Sequence, residues 1–286
     1  MRSALSDLRR SLPRVFWYVA CSVIALLFLY PLLATVLQSV KSPTEAAAAP
    51  PTLFPETWSL DNYAALVSSS GSLDITRSIL ISIVIAVGSM VFTTMLAVFG
   101  GYGLARLKFP GANVVFFMIL ITFMIPFQAV ITPLYLVLAQ LNLTNSLLGV
   151  ILVIGTFQLP FGLFIMRISF TAVPRSLEEA AMIDGCGILA TLRRVMLPMA
   201  LPGILTTALF GFFAGWNEFF APLILLTNQK LYPLTVTLSI LQTGQEGTLN
   251  WGVLQAGVVL TIAPCILLFI FLQRYYVSGL VSGAIK

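Results

Sequence analysis

The side chains in this sequence that could do chemistry are few, and most are suited to binding rather than reaction. There is no histidine, so imidazole is not available as a general base, proton relay or metal ligand. Cys21, Cys186 and Cys265 are widely spaced, form no CxxC pair and read as reduced thiols with no metal site. The sequence holds no paired carboxylates and no nucleophile beside a base. It also lacks the glycine-rich phosphate loop that ends in Gly-Lys-Ser or Gly-Lys-Thr. Catalysis and ATP binding therefore have no recognisable means in this chain.

Glu218 is the one carboxylate well inside an apolar stretch. An ionisable group placed there is costly and marks a functional candidate. Trp216 and Asn217 beside it offer an aromatic face and an amide, groups that suit sugar rings and hydroxyls. Gln128, Gln158 and Gln255 also interrupt apolar runs. These residues could line a pathway for hydroxyl-rich solutes. Alternatively, the glutamines bond between helices, and Asn217 and Glu218 pin their helix to an external gate or a partner.

A second group of candidates lies in the polar stretch 167–199. Ser176 and Glu179 have the spacing of a capping box, and Gly185 is placed to stop the helix after about two turns. A second short helix is expected over 188–196, with Leu189, Leu192 and Met196 on one face; Leu197 and Pro198 then end it. The result is a short helix-turn-helix with a small flat face at Ala180 and Ala181, which would let its backbone lie deep in another protein's cleft. Glu179 serves as a cap, as a partner contact, or as both.

These groups must be positioned by apolar elements. Of 286 residues, 59% are apolar and 9% charged, with mean hydropathy +1.01. Soluble domains carry roughly 25% charged residues. A free cytosolic enzyme, a disulfide scaffold and a disordered tail all fit poorly. Six stretches, 15–40, 78–104, 114–139, 147–166, 200–227 and 252–273, have the length of about 20 residues that a helix needs to cross a bilayer. The Arg-rich start followed by an apolar run resembles a signal peptide, but at about 26 residues the run exceeds the 7–15 of a signal core. The fold class is thus an all-α integral membrane protein with six transmembrane helices, 15–273, between tails at 1–14 and 274–286.

Twelve of the fifteen Lys and Arg residues fall on the side of both tails and of the 167–199 loop; only Lys41, Arg77 and Lys230 fall opposite. This places both termini in the cytoplasm. The net charge of +5 is then a topology signal that needs no nucleic acid. Five of the six spans contain proline, as broken transporter helices do, and Gly211 with Gly215 permits close helix approach. On the opposite side, Pro50, Pro51 and Pro55 keep the loop extended, and Ser59 could cap a short helix over 60–67. No Lys or Arg lies inside an expected span, which tilts the cargo toward a neutral solute.

Glu179-Ala180-Ala181, followed by Asp184-Gly185 and Leu197-Pro198, resembles the EAA loop of importer-type ABC transporter permeases. The likeness extends to the segments 103–109, Trp216-Asn217-Glu218-Phe219, Gln273-Arg274-Tyr275-Tyr276 and 279–286, and is closest to the smaller six-span permease of the maltose-type carbohydrate group. Cys186 stands where that family usually has alanine, and Leu192 where an aromatic is common. The resemblance implies an importer-type bundle in a bacterial or archaeal cytoplasmic membrane, with a coupling helix seated in a separate ATPase. It implies two ATPase subunits carrying ATP and Mg, a second permease forming a heterodimer, and an extracytoplasmic solute-binding protein. This chain would bind membrane lipid but no cofactor or metal of its own. The expected function is ATP-driven import of a sugar or related polyhydroxylated solute. Another solute such as a glycerol-phosphate compound, an ion-coupled carrier and a membrane scaffold are the alternatives.

Overall fold

The computed structural model describes residues 2–48, 50, 52–68, 74–107, 109–243 and 250–284, with side chains described between 16 and 271. Lys108, Lys286 and the end of the 279–286 segment lie outside the described residues, as do the side chains of Arg2, Arg9, Arg10, Arg14 and Gln273 to Tyr276. The described residues are almost wholly helical, and a single bridge from Lys41 to Trp58 is the β pairing among them.

The chain divides into two units. The first, Met1–Ser68 with Leu241–Ile262, begins with α1 (Arg2–Ser39), followed by α2 (Pro43–Ala46) and α3 (Asp61–Ser68). From Phe16 onward α1 is apolar, and none of the residues in its most apolar window is buried. The connection after it is ordered by polar bonds. Lys41 is fully buried, and its ammonium donates to the carbonyl and hydroxyl of Thr52, whose hydroxyl donates to Glu45. Asn62 donates to the carbonyls of Ser39 and Lys41. Ser59 accepts from the Asp61 N–H and starts α3 close to the expected place. Burial pushes the Glu45 carboxyl up. Hydrogen bonds from the Glu56 N–H, the Thr52 hydroxyl and the Thr57 N–H, with the Lys41 charge, outweigh this and hold it below the usual carboxylate range.

The second unit, Ser69–Ile240 with Ala263–Lys286, carries the candidate sites. Its core is three mutually packed helices, α4 (Ile75–Arg106), α7 (Leu147–Ala172) and α11 (Leu201–Trp216). Between α4 and α7 run α5 (Ala112–Thr122) and α6 (Phe127–Gln140). After α7 come α8 (Arg175–Ile183), α9 (Ile188–Thr191), a wider π-type turn over Leu192–Met196, and α10 (Leu197–Met199). After α11 come α12 (Phe220–Leu225), α13 (Leu234–Gln242) and α14 (Trp251–Ala284), the last passing from one unit into the other. Small residues let the core helices approach. A Cβ on Gly215 would stand 2.7 Å from the Ala86 Cα, and one on Gly211 would stand 3.1 Å from the Met90 Cα. The GxxxG pair therefore packs α11 onto α4 within this chain.

Four stretches are single helices long and apolar enough to cross a bilayer: Phe16–Ser39, Ile75–Arg106, Leu147–Ala172 and Trp251–Phe271. The other two expected spans are broken. The stretch 114–139 is α5 and α6 meeting at 100°. Pro126 has no N–H to give to residue 122 and biases Ile125 away from the helical region, so the first helix cannot continue. The stretch 200–227 stops at Trp216 and resumes at Phe220. Its entry is bent too, at 80° between Ile188–Met199 and α11. The expectation that Leu197 and Pro198 end the second loop helix is corrected, because the helix runs through both and turns at Ala200. The fourth span also reaches beyond 166 to Ala172. Arg167, Arg106 and Arg77 therefore stand on spanning helices, contrary to the expectation of none.

Candidate functional site

The 167–199 stretch folds as the expected helix-turn-helix, but its attachment differs from the sequence reading. Pro174 precedes α8 and no side chain caps it, so Ser176 and Glu179 form no capping box; both are exposed. A proline at that position holds the extended backbone that starts a helix without a side-chain acceptor. The residue that anchors the helix is Glu178, which sequence reasoning passed over. Its carboxylate accepts from the Tyr102 hydroxyl at 3.0 Å and lies 3.5 Å from Arg106 Nε. The Arg106 guanidinium also donates to the carbonyls of Phe170 and Val173 at the end of α7. One arginine thus ties the ends of α4 and α7 to α8. The side chains of Arg106 and Glu178 are only 5% and 11% exposed.

Consecutive helical residues point about 100° apart, and so Ala180 and Ala181 cannot share one face. Ala181 is buried toward the core, whereas Glu179 and Ala180 face outward. Gly185 ends α8 as expected. At φ +83° it donates to the Met182 carbonyl, and Cys186 reaches back to Ala181, a Schellman closure. Asp184 is the exposed C-cap. In the following helix Leu192 and Met196 enter a core with Tyr102, Met166 and Phe170, joined by half-buried Leu197. Leu189, one turn before Leu192 in α9, does not join that face and is 72% exposed. Pro198 is exposed. On the outer side of the hairpin Leu177, Met182, Ile183 and Ile188 are all exposed, Ile183 by 85%, among the exposed polar residues Arg175, Ser176, Glu179 and Asp184.

A second site lies between the broken helices. A cavity of about 310 Å³ is lined by Gln128, Gln158, Glu218 and several phenylalanines, among them Phe123, Phe127 and Phe157. Glu218 occupies the break after α11, where its Oε1 accepts from the N–H groups of Phe220 and Ala221 at 3.0 and 2.9 Å. It therefore both starts α12 and fronts the cavity. Trp216 is only 2% exposed and stacks on Phe212, and Asn217 is exposed with its amide on the Phe213 carbonyl. Neither lines the cavity. Gln255 is half-buried on α14 in the first unit. Three of the six pathway candidates are thus brought together.

Long apolar helices, a packed three-helix core in the second unit, two broken spans fronting one cavity, and a hairpin anchored on one side and bare on the other define a membrane permease component. The chain belongs to the family described as binding-protein-dependent transport system inner membrane component, which matches residues 97–281. It is 34% identical over 284 residues to the arabinooligosaccharides transport system permease protein AraQ of Halalkalibacterium halodurans, covering 97% of this chain and 99% of that one. It is 31% identical over 262 residues to the diacetylchitobiose uptake system permease protein NgcG of Streptomyces coelicolor, covering 92% and 85%. Its structure matches a chain of a bacterial ABC transporter involved in the import of the acidic polysaccharide alginate. The TM-score is 0.81 and the identity 25%, covering 93% of this chain and 96% of that one.

Proposed function

We propose that this chain is one of two permease subunits in an ATP-driven importer for a sugar or related polyhydroxylated solute, and that separate ATPase subunits drive it by gripping α8. The observation that carries the coupling is the two-sided hairpin. Its inner side is fixed to α4 and α7 by Glu178, Tyr102 and Arg106, while Leu177, Met182 and Ile183 on its outer side are uncovered. Bare apolar side chains on an anchored element suit a protein partner. A push on α8 reaches two core helices through a single guanidinium. The saccharide cargo is supported by the permeases for arabinooligosaccharides and diacetylchitobiose that this chain resembles along most of its length. ATP and Mg belong to the partner ATPases, and an extracytoplasmic binding protein delivers the solute. Both termini lie in the cytoplasm on the strength of the Lys and Arg asymmetry.

The test is uptake by the complete complex in sealed vesicles, with ATP hydrolysis measured in parallel. Ala180→Trp, or Glu179→Lys, on the outer side of α8 lowers sugar uptake by at least about tenfold, as loss of a central interface contact does. Full substrate-stimulated ATP hydrolysis coupled to normal uptake in both variants would overturn the reading. ATP-independent uptake by this chain alone would do the same.

A further inference from the structure

Resting on the importer reading, we infer that this subunit carries its own saccharide subsite in the cavity between its two broken helices, and that the subsite takes an uncharged glycosyl unit in preference to an acidic one. Irregular backbone at membrane depth is tolerated where it lines a cavity or is covered by protein. Here both breaks front the same space: Phe123 and Ile125 come from the bend between α5 and α6, and Glu218 from the gap between α11 and α12. At about 310 Å³ the space is at the lower end for a ligand pocket, which fits one sugar ring rather than a chain.

The lining has the chemistry of saccharide recognition. Phe127 and Phe157 stand edge to face with centroids 4.8 Å apart, and Phe220 is 6.0 Å from Phe127, which leaves a rigid aromatic wall for the C–H face of a ring. The polar groups are two amides and one carboxylate. The Gln128 and Gln158 amides make no hydrogen bond to the described residues, so they are not the interhelical ties that their sequence positions also allowed. Each offers donors and an acceptor to sugar hydroxyls. Glu218 is held rigid by two N–H groups on Oε1, while Oε2 has no partner among the described residues and can accept from a hydroxyl.

The preference follows from charge. No lining residue is basic, and the Glu218 carboxylate repels a uronate or sulfonate. Arg77, Arg106 and Arg167 stand on spanning helices but do not line the cavity.

The experiment is saturation-transfer NMR on the purified complete complex without its binding protein, with arabinotriose and diacetylchitobiose as neutral probes and trigalacturonate as the acidic one. The neutral probes receive saturation and trigalacturonate does not. Gln158→Leu weakens the neutral signal by about tenfold, the loss of one hydroxyl hydrogen bond. Glu218→Gln admits trigalacturonate while the assembled complex co-purifies as before. Equal binding of the acidic probe to the unaltered complex overturns the inference, and so does a neutral signal indifferent to Gln158→Leu. If vesicle uptake is ATP-driven but the probes fail here, the subsite alone falls. If the probes bind but uptake needs no ATP, the importer reading falls and the subsite stands.

Discussion

Arg106 does three jobs with one guanidinium: it balances the charge of Glu178 and donates to two carbonyls at the end of α7. Removing it strands a buried carboxylate, whereas removing both partners strands none. Arg106→Ala should therefore destabilise the subunit by about 3–5 kcal/mol, and the double variant with Glu178→Ala by less than the sum of the two single changes. Thermal unfolding of the detergent-solubilised complex measures both. Additive losses would mean that the pair does not interact. Glu178 and Glu179 are neighbours of identical type, and nothing in their local sequence says which faces inward. The difference is set by Tyr102 and Arg106, more than 70 positions away. Long-range partners of this sort are what a reading from spacing misses.

At the scale of elements, close approach and turn geometry decide what substitution is tolerated. Gly215 lies against the backbone of α4, so even a methyl group must push the helices apart. Gly215→Ala is expected to cost about 1–3 kcal/mol, the range for overpacked cores, and is read as a lower unfolding temperature. Gly103→Ala, with only the distal Leu107 methyl 3.9 Å from the added carbon, is the control that should leave it unmoved. The loop after α1 responds to acid instead. Because the folded Glu45 carboxyl lies below its ordinary value of 4.5, its contribution is whole above that pH and fades as the pH falls through the lower folded value. The protection of the Glu56 amide against hydrogen exchange, taken relative to its intrinsic rate at each pH, should fall over that acid window, and Glu45→Gln should remove the dependence. The existence of most spans was legible because twenty apolar residues in a row admit few other fates. The breaks were less so: prolines were visible at 126 and 222, yet Pro160 and Pro264 lie inside unbroken helices. Whether a proline kinks, breaks or is absorbed depends on what can take up the freed carbonyl.

For the whole molecule, the uneven distribution of Lys and Arg makes a prediction that needs no substrate. A fluorescent protein fused after the last residue should glow, and alkaline phosphatase at the same place should be inactive, because each reports the side on which it folds. The opposite pair of outcomes would invert the topology and put α8 out of reach of any cytosolic ATPase. Family membership was legible in short motifs spread along the chain, but the pathway residues were only half so. Gln128, Gln158 and Glu218 converge on one cavity, while Trp216 and Asn217, adjacent to Glu218 in sequence, turn elsewhere. Adjacency along a helix is not proximity around it, and the end of α11 at Trp216 separates them further.

The wider turn over Leu192–Met196 gives the chain a tolerance of a different kind. It accommodates one more residue than an even helix would between the same two ends. Deleting a single position there lets the coil tighten into an even helix and leaves the downstream register as it was, whereas the same deletion inside α11 swings every later residue by about 100° about its axis. Gly211 and Gly215 keep facing α4 after the first deletion and turn away from it if a residue between 201 and 210 is lost. A one-residue gap in 192–196 should therefore do less harm than the same gap one turn into α11.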